Sequence, residues 1–310
     1  MGGSGGFFSR DYSPNKYREI LRESEQKTEN VQFESEVNAY LNELLAAYNR
    51  DTDRTNDHLL EIDEIIGNGL DGTLNIKFGG SVHKHTYVDG LSDIDVLVEV
   101  NRSELADASP SEVLEYLKEE LENSHRNNIS EVKVGNLAVT VNFSDGESIQ
   151  LLPAVKRGDG YKISNGKGEW SNIIRPDMFA KKLTEVNQKC GSKVVPVIKL
   201  AKDIIYQLPG EQQLSGYHIE SIAVEAFKKY PDSEPRSPKK MLKYFFENAK
   251  DIVNEPITDS THQSLHVDDY LGDVGTAERK RISYVLDRIY KRMKNADLVG
   301  SVDEWKSILG

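Results

Sequence analysis

The chain has 310 residues, 37% hydrophobic and 29% charged, with a formal net charge of -12 and a single cysteine, Cys190. That length and balance suit one large or two modest soluble domains, and one cysteine excludes an internal disulfide or a cysteine-based zinc site. The negative charge argues against a surface built to grip long duplex nucleic acid.

No apolar run is long enough to span a bilayer, and no basic start leads into an apolar core as a secretion signal would. Gly6 stands where a myristoylation signal after Met1 needs Ser or Thr. The expected compartment is therefore the cytoplasm.

Residues 1–32 are glycine-rich and then charged, and are expected to form a flexible N-terminal segment. From Phe33 to Tyr48 the apolar residues Phe33, Val37, Leu41, Leu44, Leu45 and Tyr48 recur at helical spacing. A second helix is expected from His58 to Ile66. Residues 67–73 (GNGLDGT) read as a turn, 74–78 (LNIKF) as a short strand, and 92–100 (SDIDVLVEV) as the strongest strand of the chain.

Ser109-Pro110-Ser111-Glu112 has the form of a capping box with proline at the first helical position, opening a helix that runs to about Asn123. Two more strands, 136–143 and 148–155, flank the turn Ser144-Asp145-Gly146-Glu147. After Pro176 the pattern turns helical, with helices expected at 176–187, 194–206, 215–230, 237–253 and 276–294. The last carries seven Lys/Arg between Arg279 and Lys294, read as a solvated face or as a contact for phosphates. The mixture implies an α+β fold in two parts, a core over 33–170 and a helical lobe over 171–310.

Function is concentrated in residues 78–100, FGGSVHKHTYVDGLSDIDVLVEV. Residues two apart in a strand share a face, so Asp93 and Asp95 point one way while Ile94 and Val96 pack the other. Two carboxylates this close repel, and burying them unpaired costs several kcal/mol; a divalent cation with oxygen ligands offsets that. Ahead of them, Gly79 and Gly80 allow close backbone approach to a ligand, and Ser81 adds a hydroxyl. A phosphate cradle followed by paired aspartates is the equipment of metal-assisted phosphoryl transfer.

These residues resemble the DNA polymerase β-like nucleotidyltransferase superfamily. With IQLLPAV, VVPVIKLAKDI, LSGYHIESIAVEAF and HVDDYLGD, residues 33–295 are similar to bacterial cGAS/DncV-like nucleotidyltransferases (CD-NTases), the CBASS-type enzymes that make cyclic oligonucleotide signals during phage infection. The resemblance implies a mixed sheet with flanking helices, a helical lobe, and an active site between them. It implies that Gly80 and Ser81 hold a triphosphate, and that Asp93 and Asp95 ligate Mg²⁺ or Mn²⁺. It further implies that Lys202, with Lys199 nearby, and Ser215 reach phosphate, and that Tyr217 stacks on a base. The implied partners are NTPs, ATP foremost, and a protein activator or effector of a defence operon.

One position departs from the pattern. Where the superfamily usually carries a third acid, this chain has Gln150. Glutamine offers an amide oxygen to a metal but cannot take up a proton near neutral pH. Three readings stay open. Gln150 ligates a metal while water or substrate takes the proton; another acid (Glu147, Asp145, Asp268 or Asp269) substitutes; or the protein binds nucleotides without turning them over. A linear rather than cyclic product is a further alternative. His83, His85, His218, His262 and His266 are not expected to form a zinc site.

Overall fold

The structure is a computed structural model that describes residues 14–49, 51–67, 72–89 and 91–310. Its first part is a sheet lined on one face by helices. The elements are α1 (Pro14–Ala47), α2 (Thr52–Gly67), β1 (Gly72–Phe78), a single turn α3 (Gly80–His83), β2 (Ile94–Ser103), α4 (Pro110–Asn123), β3 (Ile129–Val134), β4 (Val139–Phe143), β5 (Ser148–Arg157) and β6 (Gly160–Ile163). Strand order is β1-β2-β5-β4-β3, with β6 pairing the far end of β5. β2 and β5 run parallel; the other pairings are antiparallel. A parallel pair needs a crossover, and α4 with β3 and β4 supplies it.

Strand alternation assigns the two faces. Ile94, Val96, Val98 and Val100 of β2 are fully buried, packing with Ile62 and Ile66 of α2 and Val113 and Leu117 of α4. The opposite face carries Asp95 and Leu97, and in register beside them Gln150 and Leu152 of β5. The capping box forms as the spacing indicates. Ser109 Oγ accepts from Glu112 N at 3.3 Å, and Ser109 N donates to Glu112 Oε2 at 2.7 Å.

The second part is helical: α5 (Pro176–Lys189), α6 (Val194–Tyr206), α7 (Gly216–Phe227), α8 (Pro238–Ile252), α9 (Ala277–Val299) and α10 (Val302–Leu309). Its core contains Val197, Ile198, Ile222, Phe227, Phe245, Phe246 and Trp305, together with Phe33, Val37 and Leu41 of α1. Thus α1, read from sequence as part of the sheet domain, packs against α6, α8 and α10.

Several features differ from the sequence reading. α1 starts at Pro14 instead of Phe33; its described side chains before Phe33 are all exposed, so no apolar period announces them. The remainder of the expected flexible segment, 1–13, lies outside the described residues, as does most of the turn read at 67–73. β3 was missed because it is an edge strand with exposed Glu131 and Lys133, the kind of charge that blunts a sheet edge and erases alternation. The short β6 and α10 also escaped detection. On the predicted basic helix, Arg279 is fully buried against Asp268, so that cation serves the core.

Candidate active site

The site is built at the end of β1 and the start of β2. Gly79 N donates to Asp95 O at 2.8 Å, fixing the turn against the neighbouring strand. Gly80 has φ +45°, and a Cβ there would lie 1.6 Å from Asp95 Oδ2. Only glycine lets this carboxylate lie on the turn. Ser81 follows in α3, with its carbonyl accepting from Thr86 N at 2.9 Å.

Asp95 is paired in register with Gln150 across the parallel β2–β5 ladder. Gln150 Nε2 donates to Asp93 Oδ2 at 2.6 Å. The structure therefore brings Gly80, Asp93, Asp95 and Gln150 together. Burial pushes the Asp95 carboxyl up to about 6; Lys84 opposes the rise, and Asp93 and Glu220 add to it.

Behind Asp95 lies a buried ionic hub. Glu220 of α7, almost fully buried, accepts from Lys84 Nζ at 2.5 Å, Thr86 Oγ1 at 2.5 Å and Lys202 Nζ at 2.9 Å. Burial alone would raise the Glu220 carboxyl, but Lys84 and Lys202 together hold it down at about 2. Lys202 also donates to Thr86 O at 3.0 Å and is 1% exposed. Its ammonium is thus held inside the hub and is not presented to solvent.

A cavity of about 260 Å³ opens in front of this group. Gly80, Lys84 and Asp95 line one side, Leu97 and Leu152 the sheet floor, and Phe179, Tyr217 and Gln263 the helical-lobe side. Tyr217 meets Phe179 edge to face at 4.8 Å, and its hydroxyl donates to Asp259 Oδ1 at 2.6 Å. Lys84 Nζ lies 5.2 Å from the Tyr217 ring centroid. Sequence reading passed over Lys84 as a site residue. Its signal was the four-residue step from Gly80, about one helical turn along the same face.

The other expected phosphate contacts are placed differently. Ser215 caps α7, its Oγ accepting from His218 N at 3.2 Å, while its own N–H donates to the Tyr270 hydroxyl at 3.3 Å. Lys199 lines a separate space on the other side of α3.

The candidate substitutes for a third acid are engaged elsewhere. Glu147 shares strand parity with buried Ile149 and Leu151, so it turns to the back face, where Thr55 Oγ1 donates to it at 2.7 Å. Asp145 is bonded to His58 at 2.9 Å, Asp268 to Arg279 at 2.7 Å, and Asp269 to His266 at 3.1 Å. Among the described residues no group of three or more His, Cys, Asp or Glu is arranged to hold a metal.

Two carboxylates and an amide still suit a hard divalent cation. Asp95 is desolvated and faces two other negative groups, so added positive charge relieves a real cost. The Gln150 amide points its NH₂ at Asp93; its oxygen would reach a cation only after turning over.

No known family profile and no curated protein sequence matches this chain. Solved structures do. The CD-NTase CdnG of Bradyrhizobium diazoefficiens, in complex with GTP, superposes with a TM-score of 0.65 at 13% identity, over 88% of this chain and 98% of that one. CdnC of E. coli MS115-1, with ATP, gives 0.61 at 15% identity, over 88% and 96%. DncV, the cyclic AMP-GMP synthase of Vibrio cholerae, solved with a linear pppA(3′,5′)pG intermediate, gives 0.60 at 11% identity, over 96% and 89%. The chain has the fold of the CD-NTases, a nucleotidyltransferase sheet with a helical lobe. Among the described residues no helix is long and apolar enough to cross a membrane.

Proposed function

We propose that this protein is a metal-dependent nucleotidyltransferase that joins NTPs, releases pyrophosphate and closes the product into a cyclic oligonucleotide signal of a CBASS-like defence system. The observation that carries the reading is the grouping of Gly80 and Asp95, which line one cleft, with Gln150 in register beside Asp95 and bonded to Asp93, in a fold shared with proteins solved with GTP and ATP.

Asp93 and Asp95, with Gln150 as a third donor, would hold Mg²⁺ or Mn²⁺, which supplies charge neutralisation for the triphosphate. Gly80 and Ser81 bring backbone N–H groups and a hydroxyl to its oxygens. Lys84 adds a positive charge at the cleft wall. Phe179 and Tyr217 offer flat apolar surface against which a base stacks. Rate then comes from alignment and charge complementarity, with no covalent enzyme intermediate. Gln150 cannot accept the proton of the attacking hydroxyl, and no other acid of those weighed faces the cleft, so the proton passes to water or to the substrate's own phosphate.

That same glutamine supports the alternative of a nucleotide-binding module without turnover. Incubating the protein with labelled NTPs and Mg²⁺ or Mn²⁺, then identifying products by mass spectrometry after nuclease and phosphatase treatment, separates the readings. A phosphatase-resistant product, lost by at least ~10³-fold in Asp93→Asn and Asp95→Asn, supports cyclisation. A phosphatase-sensitive product means linear synthesis, and binding with no pyrophosphate release means a module.

A further inference from the structure

Few groups around the cleft are free to tell one base from another. Leu97, Leu152, Ile163 and Ile174 line it from the sheet side and offer no side-chain hydrogen bond. Of the polar side chains in the lining, His83 meets Asp177 at 3.0 Å and Lys84 is bonded to Glu220, while Asp95 faces the proposed metal. The Tyr217 hydroxyl gives its proton to Asp259. Thr261 donates to Asp259 Oδ1 at 2.8 Å and accepts from Gln263 N at 3.3 Å. That leaves Gln263, an exposed residue of the lining whose side-chain amide has no hydrogen bond among the described residues.

The loop that carries Gln263 is held at its base and from within. The antiparallel bridge between Thr258 and His266 closes the base, with Val267 N donating to Ile257 O at 2.9 Å. Near the tip, His262 takes φ +63°, a conformation uncommon outside glycine. Inside the loop, the buried Asp259 carboxylate accepts from Thr261 N at 2.8 Å and Ser264 N at 3.0 Å. The same carboxylate accepts from the Tyr217 hydroxyl at 2.6 Å. One buried acid thus fixes both the ring proposed to stack on a base and the loop that ends in the free amide. Backbone held in this way has little freedom left to lose when a ligand arrives.

We propose that Gln263 reads the base stacked on Tyr217 and selects adenine, a role that deepens the proposed function and rests on it. A glutamine amide sets one acceptor beside donors. The adenine edge that carries N7 is its complement, an N6–H donor next to the N7 acceptor, whereas the same edge of guanine presents two acceptors, N7 and O6. Gln263 Oε1 accepts from N6–H while Nε2 donates to N7. Asp259 acts through both neighbours as a positioning residue.

The test is equilibrium binding to the full chain, with Mg²⁺, of ATP and GTP analogues carrying a methylene bridge between the α- and β-phosphates. These bind but cannot release pyrophosphate, so turnover does not enter the measurement. The wild type should prefer the adenine analogue about tenfold. Gln263→Leu should bring the two affinities within about twofold, and Gln263→Arg should favour guanine about tenfold, because a guanidinium pairs with N7 and O6 together. The charge added by arginine acts on the triphosphate of both ligands alike and cancels in the ratio. Gln263 is exposed, so both variants are expected to keep the fold, which thermal melts check.

No adenine preference in the wild type, or a ratio unmoved by Gln263→Leu, overturns the role and leaves the proposed function standing. A ratio levelled by Gln263→Leu but not inverted by Gln263→Arg overturns the N7 edge as the one read. Binding of neither analogue to the wild type overturns the proposed function itself, and this role with it.

Discussion

At the scale of single residues, the cleft concentrates negative charge that the folded chain only partly compensates. Asp95 illustrates the cost. Its carboxyl is raised to about 6 from 3.8, so the stability it contributes is complete below about pH 4 and is lost as pH rises through 6. Asp95→Asn should therefore stabilise the metal-free protein at pH 7.5 by up to about 3 kcal/mol, with no gain below pH 4. Urea denaturation in EDTA at both pH values reads this directly, and equal stabilisation at both would remove burial of a charge as the cause. Gln150 is the converse case, since its amide already binds Asp93. Gln150→Asp places a third carboxylate there. The melting temperature in EDTA should fall, the rise on adding Mn²⁺ should grow, and turnover should be kept or increased; an unchanged metal response would show that the side chain does not face the cation.

Between elements, the decisive contact is the hub in which Glu220 of α7 collects Lys84 and Thr86, which follow α3, and Lys202 of α6. It ties the helical lobe to the segment that carries the Gly79-Gly80 turn. Removing one partner of a buried ionic group strands the rest, at about 3–5 kcal/mol. Glu220→Gln should lose about that much in chemical denaturation at pH 7. Because the Glu220 carboxyl is held down at about 2, its contribution is present above the unfolded value near 4.5 and disappears as pH falls towards 2. The penalty of the variant should accordingly shrink at pH 3. A pH-independent penalty would mean lost packing and not lost charge.

Across the whole molecule, the long first helix joins the two parts of the chain in an order that sequence position does not suggest. Its buried residues Phe33, Val37 and Leu41 belong to the helical core, so the N-terminal strand–helix unit is preceded by a piece of the C-terminal lobe. Leu41 is fully buried, and Leu41→Ala should cost about 2–5 kcal/mol, measured by chemical denaturation. Hydrogen exchange should then speed up in α6, α8 and α10 before it does in β2 and β5. Faster exchange confined to the sheet would place α1 with the wrong core.

The local sequence by itself determined α4 with its capping box, the buried strand β2, the helices after Pro176, and the pairing of Asp93 with Asp95, because each is written in short-range periodicity or a spacing of two to four residues. The glycine turn at Gly79 and Gly80 was legible for the same reason. Only the tertiary structure decided that Gln150 stands beside Asp95, since that depends on the register of two strands more than fifty residues apart. It also decided that Lys202 is bound inside by Glu220, that Lys84 faces the cleft, and that Lys199 lies behind α3. A lysine's type fixes its charge, but which cavity that charge enters is set by the packing of helices distant in sequence, and no local pattern encodes it.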